Sequence, residues 1–192
     1  MQKPMTGVRV LEVAQFTFVP SAGAVLADWG ADVIKIENPV TGDGQRGLVT
    51  VGGRSATAPG VAFAPMMEAP NRGKRSVGLS LALNQSRPVF EELVRRSDVF
   101  LTNYLPQARA KLRIDLDEIR RINPSIIYVA GSGFGSEGPD RDTGAHDVTA
   151  FWARSGSADG VTHTDSEGGI VNTCGSGCFR RPPFRRADRR LR

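Results

Sequence analysis

Three groups of residues have types and spacings that could do chemistry. The run Asn71-Arg72-Gly73-Lys74-Arg75-Ser76 places three cations within four positions, just ahead of a strand-like stretch. Such a density of guanidinium and ammonium groups suits a polyanion such as a phosphate-bearing ligand. A solvated charge run has the same composition, so the sequence leaves both readings open. The nearby turn Gly42-Asp43-Gly44-Gln45-Arg46-Gly47 offers a further guanidinium. The second group is the glycine-rich Gly131-Ser132-Gly133-Phe134-Gly135-Ser136-Glu137-Gly138-Pro139. It could let backbone approach a ligand closely or present N–H groups to an oxyanion, or be a simple loop. The third is His146-Asp147, at the start of a predicted helix. A histidine there is kept neutral more easily and could act as a base; Asp147 could equally be an N-cap.

Other chemistries lack their residues. The two cysteines, Cys174 and Cys178, are too few and too close for a disulfide framework, and only His163 stands near them, short of a structural zinc set. No metal site is therefore expected. The first strand is not followed by G-x-G-x-x-G and there is no P-loop, so neither a dinucleotide nor a P-loop nucleotide is supported.

The elements that must position these groups are legible from periodicity. Val8–Val13 and Asp32–Glu37 read as short apolar strands flanking a helix over Ala22–Trp29, a βαβ unit with parallel strands. Asn38–Ser76 is a long glycine- and proline-rich stretch without a period. Beyond it come a strand over Val77–Leu83 and a helix capped by Asn84 or Ser86, with Val89, Phe90, Leu93 and Val94 on one face. A strand at Asp98–Thr102 follows, then helices at Gln107–Leu112 and Leu116–Ile122. Ser125–Ala130 is the clearest buried strand in the sequence, and a last helix is predicted over Asp147–Arg154. The alternation predicts an α/β fold: a Rossmann-like, doubly wound, mostly parallel sheet with ligands at the carboxyl ends of its strands.

Charge divides the chain. Of 192 residues, 25 are Lys or Arg and 20 Asp or Glu, a formal +5. The last 13 residues carry seven arginines and one aspartate, so the body up to Phe179 has a net charge of −1. A basic nucleic-acid-binding face is thereby disfavoured. No run approaches the ~20 apolar residues of a membrane span. A cytoplasmic protein without membrane or nucleic-acid partners is expected. Residues 1–169 read as one coherent domain. Residues 170–192, an Arg/Pro/Gly/Cys mixture without a core face, read as a disordered tail or as out-of-frame sequence.

Taken together, Gly7–Glu12, Leu26–Glu37, Asn71–Val77, Asp98–Tyr104, Asn123–Tyr128 and Ser132–Pro139 resemble, in order and spacing, the class III CoA-transferase family. That family includes α-methylacyl-CoA racemases, and the likeness runs from about Gly7 to Gly169. The resemblance implies a Rossmann-like large domain, a smaller second domain and interlocked homodimers. It implies coenzyme A or acyl-CoA as a substrate rather than a tightly bound cofactor, with a carboxylic acid as the second reactant. CoA would lie along Asn71, Arg72, Lys74 and Arg75 and near Asn103, Tyr104 and Lys111. His146 with Asp147 would form the catalytic pair, His146 moving a proton in racemase-like members. The stretch Phe151–Gly156 looks more like the transferase branch.

Two departures from the family pattern bear on activity. Asn38 stands where members commonly place an arginine that meets CoA. In transferases an aspartate about 30 residues past the His-Asp pair, in a Gly-Asp-x-x-x-Gly turn, attacks the thioester. Thirty residues past His146 this chain has Ser176, within Cys-Gly-Ser-Gly-Cys. The expectation is a class III acyl-CoA transferase-type polypeptide, the N-terminal half of a family chain, without its nucleophilic turn and inactive alone. An α-methylacyl-CoA racemase-like protein and a non-catalytic CoA-binding remnant are the alternatives.

Overall fold

The computed structural model describes residues 2–48, 50–51, 54–55, 60, 64–146 and 148–157. In chain order the elements are β1 (Arg9–Val13), α1 (Phe18–Asp28), β2 (Asp32–Glu37), β3 (Thr50–Val51), β4 (Arg54–Ser55), α2 (Pro65–Glu68) and β5 (Arg75–Gly78). Then come α3 (Arg87–Arg95), β6 (Val99–Thr102), α4 (Pro106–Leu112), α5 (Leu116–Ile122) and β7 (Ile127–Ala130). Contacts divide the chain into Met1–Gly131 and Ser132–Arg192.

In the first unit five strands form one sheet in the order β5-β2-β1-β6-β7, and every neighbouring pair is parallel. The chain builds outward from β1 to one edge, then returns to build outward on the other side. This is the doubly wound α/β arrangement, and its order reverses between β1 and β6. The short β3–β4 hairpin is antiparallel and separate from this sheet.

The period of two along the strands sorts their side chains into two layers. Leu11, Val13, Ile34, Ile36 and Phe100 join Phe90 and Val94 of α3 and Ile119 of α5. Phe100 meets Phe90 edge-on at 6.4 Å and stacks on Tyr128 at 5.4 Å, geometries favoured by the ring quadrupoles. On the opposite face Val10, Ala14, Val33, Val99 and Leu101 pack with Val19 of α1. Asp115 caps α5 by accepting the Glu118 N–H at 3.0 Å, and acids in its first turn and arginines in its last suit the helix dipole.

Several expectations from the sequence are corrected. The first helix begins at Phe18, a turn earlier than expected, because Pro20 fits within its first turn, where its missing N–H costs no bond. The strand expected at Val77–Leu83 is Arg75–Gly78, its register set by pairing with Ile34–Glu37. Among its described residues, the stretch Asn38–Ser76 contains two 3₁₀ turns, Gly44–Gly47 and Ala69–Asn71, besides β3, β4 and α2. Val89 is exposed while Phe90 and Val94 face the core. The run that reads as the clearest buried strand supplies β7, an edge strand whose Ile127 and Val129 are 61% and 42% exposed. Those two residues pair with Val99 and Leu101, so they lie on the face that α1 covers elsewhere.

In the second unit the loop from Ser132 turns through Gly135 and Gly138, both at positive φ. The helix expected over Asp147–Arg154 is a π-helical segment, Val148–Arg154. Arg154 pairs with Asp140 and lies 5.5 Å from the Phe134 ring centroid. The expected boundary near residue 169, the 170–192 tail and both cysteines fall outside the described residues. Among the described residues no helix is long and apolar enough to cross a membrane, and no cluster of His, Cys, Asp and Glu could hold a metal ion.

Candidate functional site

Doubly wound sheets bind ligands outside the carboxyl ends of the strands, where the strand order reverses. Here that point is the turn leaving β1, Ala14–Thr17, facing Asn103 and Tyr104 beyond β6. The Asn103 carboxamide grips the turn by its backbone: Oδ1 accepts the Gln15 N–H at 2.9 Å and Nδ2 donates to the Gln15 carbonyl at 2.6 Å. The Gln15 side chain donates to the Tyr104 hydroxyl at 2.7 Å. Burial pushes the Tyr104 phenol above its usual range, against the opposing Gln15 hydrogen bond, so it stays protonated near neutrality. The hydroxyl accepts from Gln15, which leaves its own proton for an acceptor such as a carbonyl or phosphate oxygen. α1 begins directly after this turn with no side-chain cap.

Phe16 holds the turn in an unusual conformation, at φ 63°, where a bulky residue is strained. Its N–H donates to Asp43 Oδ1 at 3.0 Å, and its ring sits against Gly44. Thr17 Oγ1 donates to Gln45 Oε1 at 3.0 Å, and buried Gln45 donates in turn to the Met66 carbonyl.

Beneath the turn is a buried charge cluster. Lys74 Nζ contacts both Glu12 carboxylate oxygens at 2.9 and 2.7 Å and the Pro20 carbonyl at 2.7 Å. Lys35 Nζ lies 2.5 Å from Asp43 Oδ2, 2.9 Å from Asn71 Oδ1 and 3.5 Å from Glu12. Two cations and two carboxylates cancel. Desolvation still dominates, pushing Glu12 above and Lys74 below their ordinary values. Gly23 of α1 makes room: a Cβ there would lie 2.0 Å from Glu12 Oε2.

The expected cation loop is thus divided. Lys74 is spent on Glu12, and the Asn71 side chain is held by Lys35. Arg72 pairs with Asp28 at 2.5 Å and Arg75 with Asp32 at 2.6 Å. Asp32 opens β2 and Asp28 closes α1, so both arginines point to the amino ends of the strands, away from the Gln15 turn. Arg46 forms a bidentate pair with Glu37, 2.7 Å for each bond. With Ser76 also donating, these contacts hold the Glu37 carboxyl at about 2. Asn38 caps its own turn by accepting the Val40 and Thr41 N–H groups.

Of the remaining expected residues, Asn103 and Tyr104 are brought together with the turn. Lys111 is exposed on α4. His146 lies in the second unit, where its carbonyl accepts the Thr149 and Ala150 N–H groups at the start of the π-helical segment. Its imidazole makes no hydrogen bond among the described residues, and Asp147 falls outside them. Sequence reading missed Gln15, whose only signal is a polar residue at the end of an apolar strand, and Arg109. Arg109 is half-buried on α4 with no acid beside it among the described residues. It donates to the Tyr128 hydroxyl at 3.3 Å, and its Nε is buried without a partner.

A doubly wound α/β sheet with a polar turn at its reversal point defines the structural class; the comparisons define the family. Residues 5–174 match the profile of CoA-transferase family III, and the chain belongs to that family. It is 37% identical over 162 residues to a succinate–glutarate CoA-transferase from Agrobacterium fabrum, covering 82% of this chain and 40% of the relative. It is 38% identical over 150 residues to a formyl-CoA:oxalate CoA-transferase from Streptomyces avermitilis, covering 78% and 34%. A crystal structure of a CaiB/BaiF family protein from Brucella suis superposes with a TM-score of 0.75 at 30% identity, covering 90% of this chain and 44% of the other. The chain therefore spans about two fifths of the length of the curated relatives it matches.

Proposed function

We propose that this chain is the coenzyme A-binding part of an acyl-CoA transferase, an enzyme moving CoA from an acyl-CoA to a carboxylic acid. The observation that carries the reading is the turn at the strand reversal. Asn103, Gln15 and Tyr104 present a preorganised polar surface there, within the segment that matches the family. Gln15 and Tyr104 would orient the thioester end of the ligand, and Lys111 and Arg109 on α4 supply cations for its phosphates. His146 and Asp147 are the proposed proton-handling pair. The covalent step of a transferase needs a carboxylate to capture the acyl carbon and release the thiolate. The stretch from Cys174 to Cys178 contains none, so binding without turnover is expected of this chain alone.

Titration calorimetry with coenzyme A tests the reading. Saturable heat is expected with wild-type protein, and none with NADH. Asn103→Leu deletes two hydrogen bonds to the turn, each worth about 1 kcal/mol. It should weaken binding roughly 10- to 30-fold. No saturation at millimolar CoA would refute the proposal.

A further inference from the structure

The cluster of Lys35, Asp43 and Gln45 is not used by the proposed binding scheme, yet its contacts converge on the turn that scheme depends on. Asp43 is 1% exposed and all its polar atoms are occupied. Its Oδ1 accepts two backbone N–H groups, from Phe16 at 3.0 Å and Gln45 at 2.9 Å. Its Oδ2 takes the Lys35 ammonium, and its own N–H donates to Glu37 Oε2 at 3.0 Å. The residue at the other end of the first bond, Phe16, has φ 63° and is not glycine. Left to itself a phenylalanine leaves that region, because Cβ crowds the neighbouring carbonyl. Something must hold it there, and Asp43 Oδ1 is the side-chain atom bonded to its N–H. Gly44 completes the restraint from below: a Cβ at that position would come 2.9 Å from Phe16 Cζ.

From this geometry we infer that Asp43 is a positioning residue: through Oδ1 it holds the Gln15–Phe16 turn in the left-handed conformation on which ligand binding depends. Lys35 aims the carboxylate by holding Oδ2, with Asn71 and Glu12 fixing the ammonium in turn. Asp43 touches no ligand in this scheme; it acts through Phe16. The inference rests on the coenzyme A reading only for its effect on affinity. Its effect on the turn stands apart from any ligand.

The two claims are read by separate measurements on the whole chain. Amide hydrogen exchange at Phe16 reports the turn directly. Asp43→Ala should remove protection there, by tenfold or more, while amides of β1 keep theirs. The pair Asp43→Asn/Lys35→Met removes the ion pair but keeps a carbonyl oxygen facing the Phe16 and Gln45 N–H groups. It should restore protection at Phe16 to within about threefold of wild type, which a loss traceable to the ion pair alone would not allow. Phe16→Gly supplies the second check. Glycine takes positive φ without strain, so adding it to Asp43→Ala should recover much of the lost coenzyme A affinity. Unchanged exchange at Phe16 in Asp43→Ala would overturn the inference, as would a paired variant no better than Asp43→Ala. If wild-type protein binds no coenzyme A, the functional reading fails, and the Phe16 exchange still decides the role of Asp43.

Discussion

Gly23→Ala in α1 sets helix propensity against the buried charge cluster, and the structure says which wins. Propensity alone favours alanine by about 0.5–1 kcal/mol in a helix interior. The new Cβ, however, would stand 2.0 Å from Glu12 Oε2 and 3.1 Å from Lys74 Nζ. Ordinary contact begins near 3.4 Å, so the carboxylate must retreat by more than an ångström. Its hydrogen bonds to Lys74 are 2.7 and 2.9 Å long, and they cannot survive that movement. Neither side chain can turn to water, since both are 2% exposed or less. Disrupting a buried pair costs about 3–5 kcal/mol. The net destabilisation is then about 2–4 kcal/mol, a fall in melting temperature on the order of 10 °C for a unit of this size. Thermal unfolding followed by circular dichroism measures it. In a Glu12→Ala/Lys74→Met background the obstacle is gone and Gly23→Ala should be neutral or stabilising. A single variant that melts at or above the wild-type temperature would refute the account of the cluster.

Two further predictions concern the sheet and its rim. Glu37, held at about 2 chiefly by its hydrogen bonds with Arg46, titrates lower in the folded chain than in the unfolded one. Its contribution is therefore present above about pH 4.5 and lost as pH falls toward 2. Arg46 is 49% exposed, so screening limits the contribution to about 1–2 kcal/mol. Urea unfolding at pH 6, 4 and 3 should show that loss in wild type and a flatter response in Glu37→Gln. At the sheet edge, Ile127→Thr should cost less than about 1 kcal/mol, because Ile127 faces out. Ile126→Ala, at a buried neighbour, should cost about 2–4 kcal/mol. Equal urea midpoints for the two variants would show that the β7 face is covered.

What the sequence disclosed and what it hid divide along a physical line. The apolar runs ending at Val13, Glu37 and Thr102 predict strands because a doubly covered parallel sheet needs apolar side chains on both faces. The same rule misleads at β7, where the run is equally apolar but one face stays open. Family resemblance singled out Asn103 and Tyr104 as candidates; their grip on Gln15 was not legible, because it joins positions 88 and 89 residues apart. The charges of Glu12 and Lys35 were visible inside strands, but their neutralisation by Lys74 and Asp43 is a tertiary fact. The described residues just after β2 have no period because side-chain-to-backbone bonds of Asn38, Asp43 and Gln45 order them rather than a repeating face.

The division of the 71–76 loop fixes what its cations can contribute to holding an anion. Arg72–Asp28 and Arg75–Asp32 are half-exposed pairs, each worth no more than about 1 kcal/mol. A phosphate could displace either carboxylate at little cost, but both guanidinium groups stand at the amino ends of the strands. Lys74 reaches toward the reversal point, yet moving it to a ligand would strand Glu12 buried and unpaired, a cost of several kcal/mol. The loop is thus cheap to open where it is far from the turn and expensive to open where it is near. Under the proposed binding scheme, recognition at the turn would accordingly fall to neutral groups that need no release, the Gln15 amide and the Tyr104 hydroxyl. In that scheme positive charge would come from α4, where Lys111 and Arg109 have no carboxylate to give up among the described residues. A site built as proposed would bind through preorganised hydrogen bonds first and charge second, so the conformation of the Phe16 turn would matter more to it than the number of cations nearby.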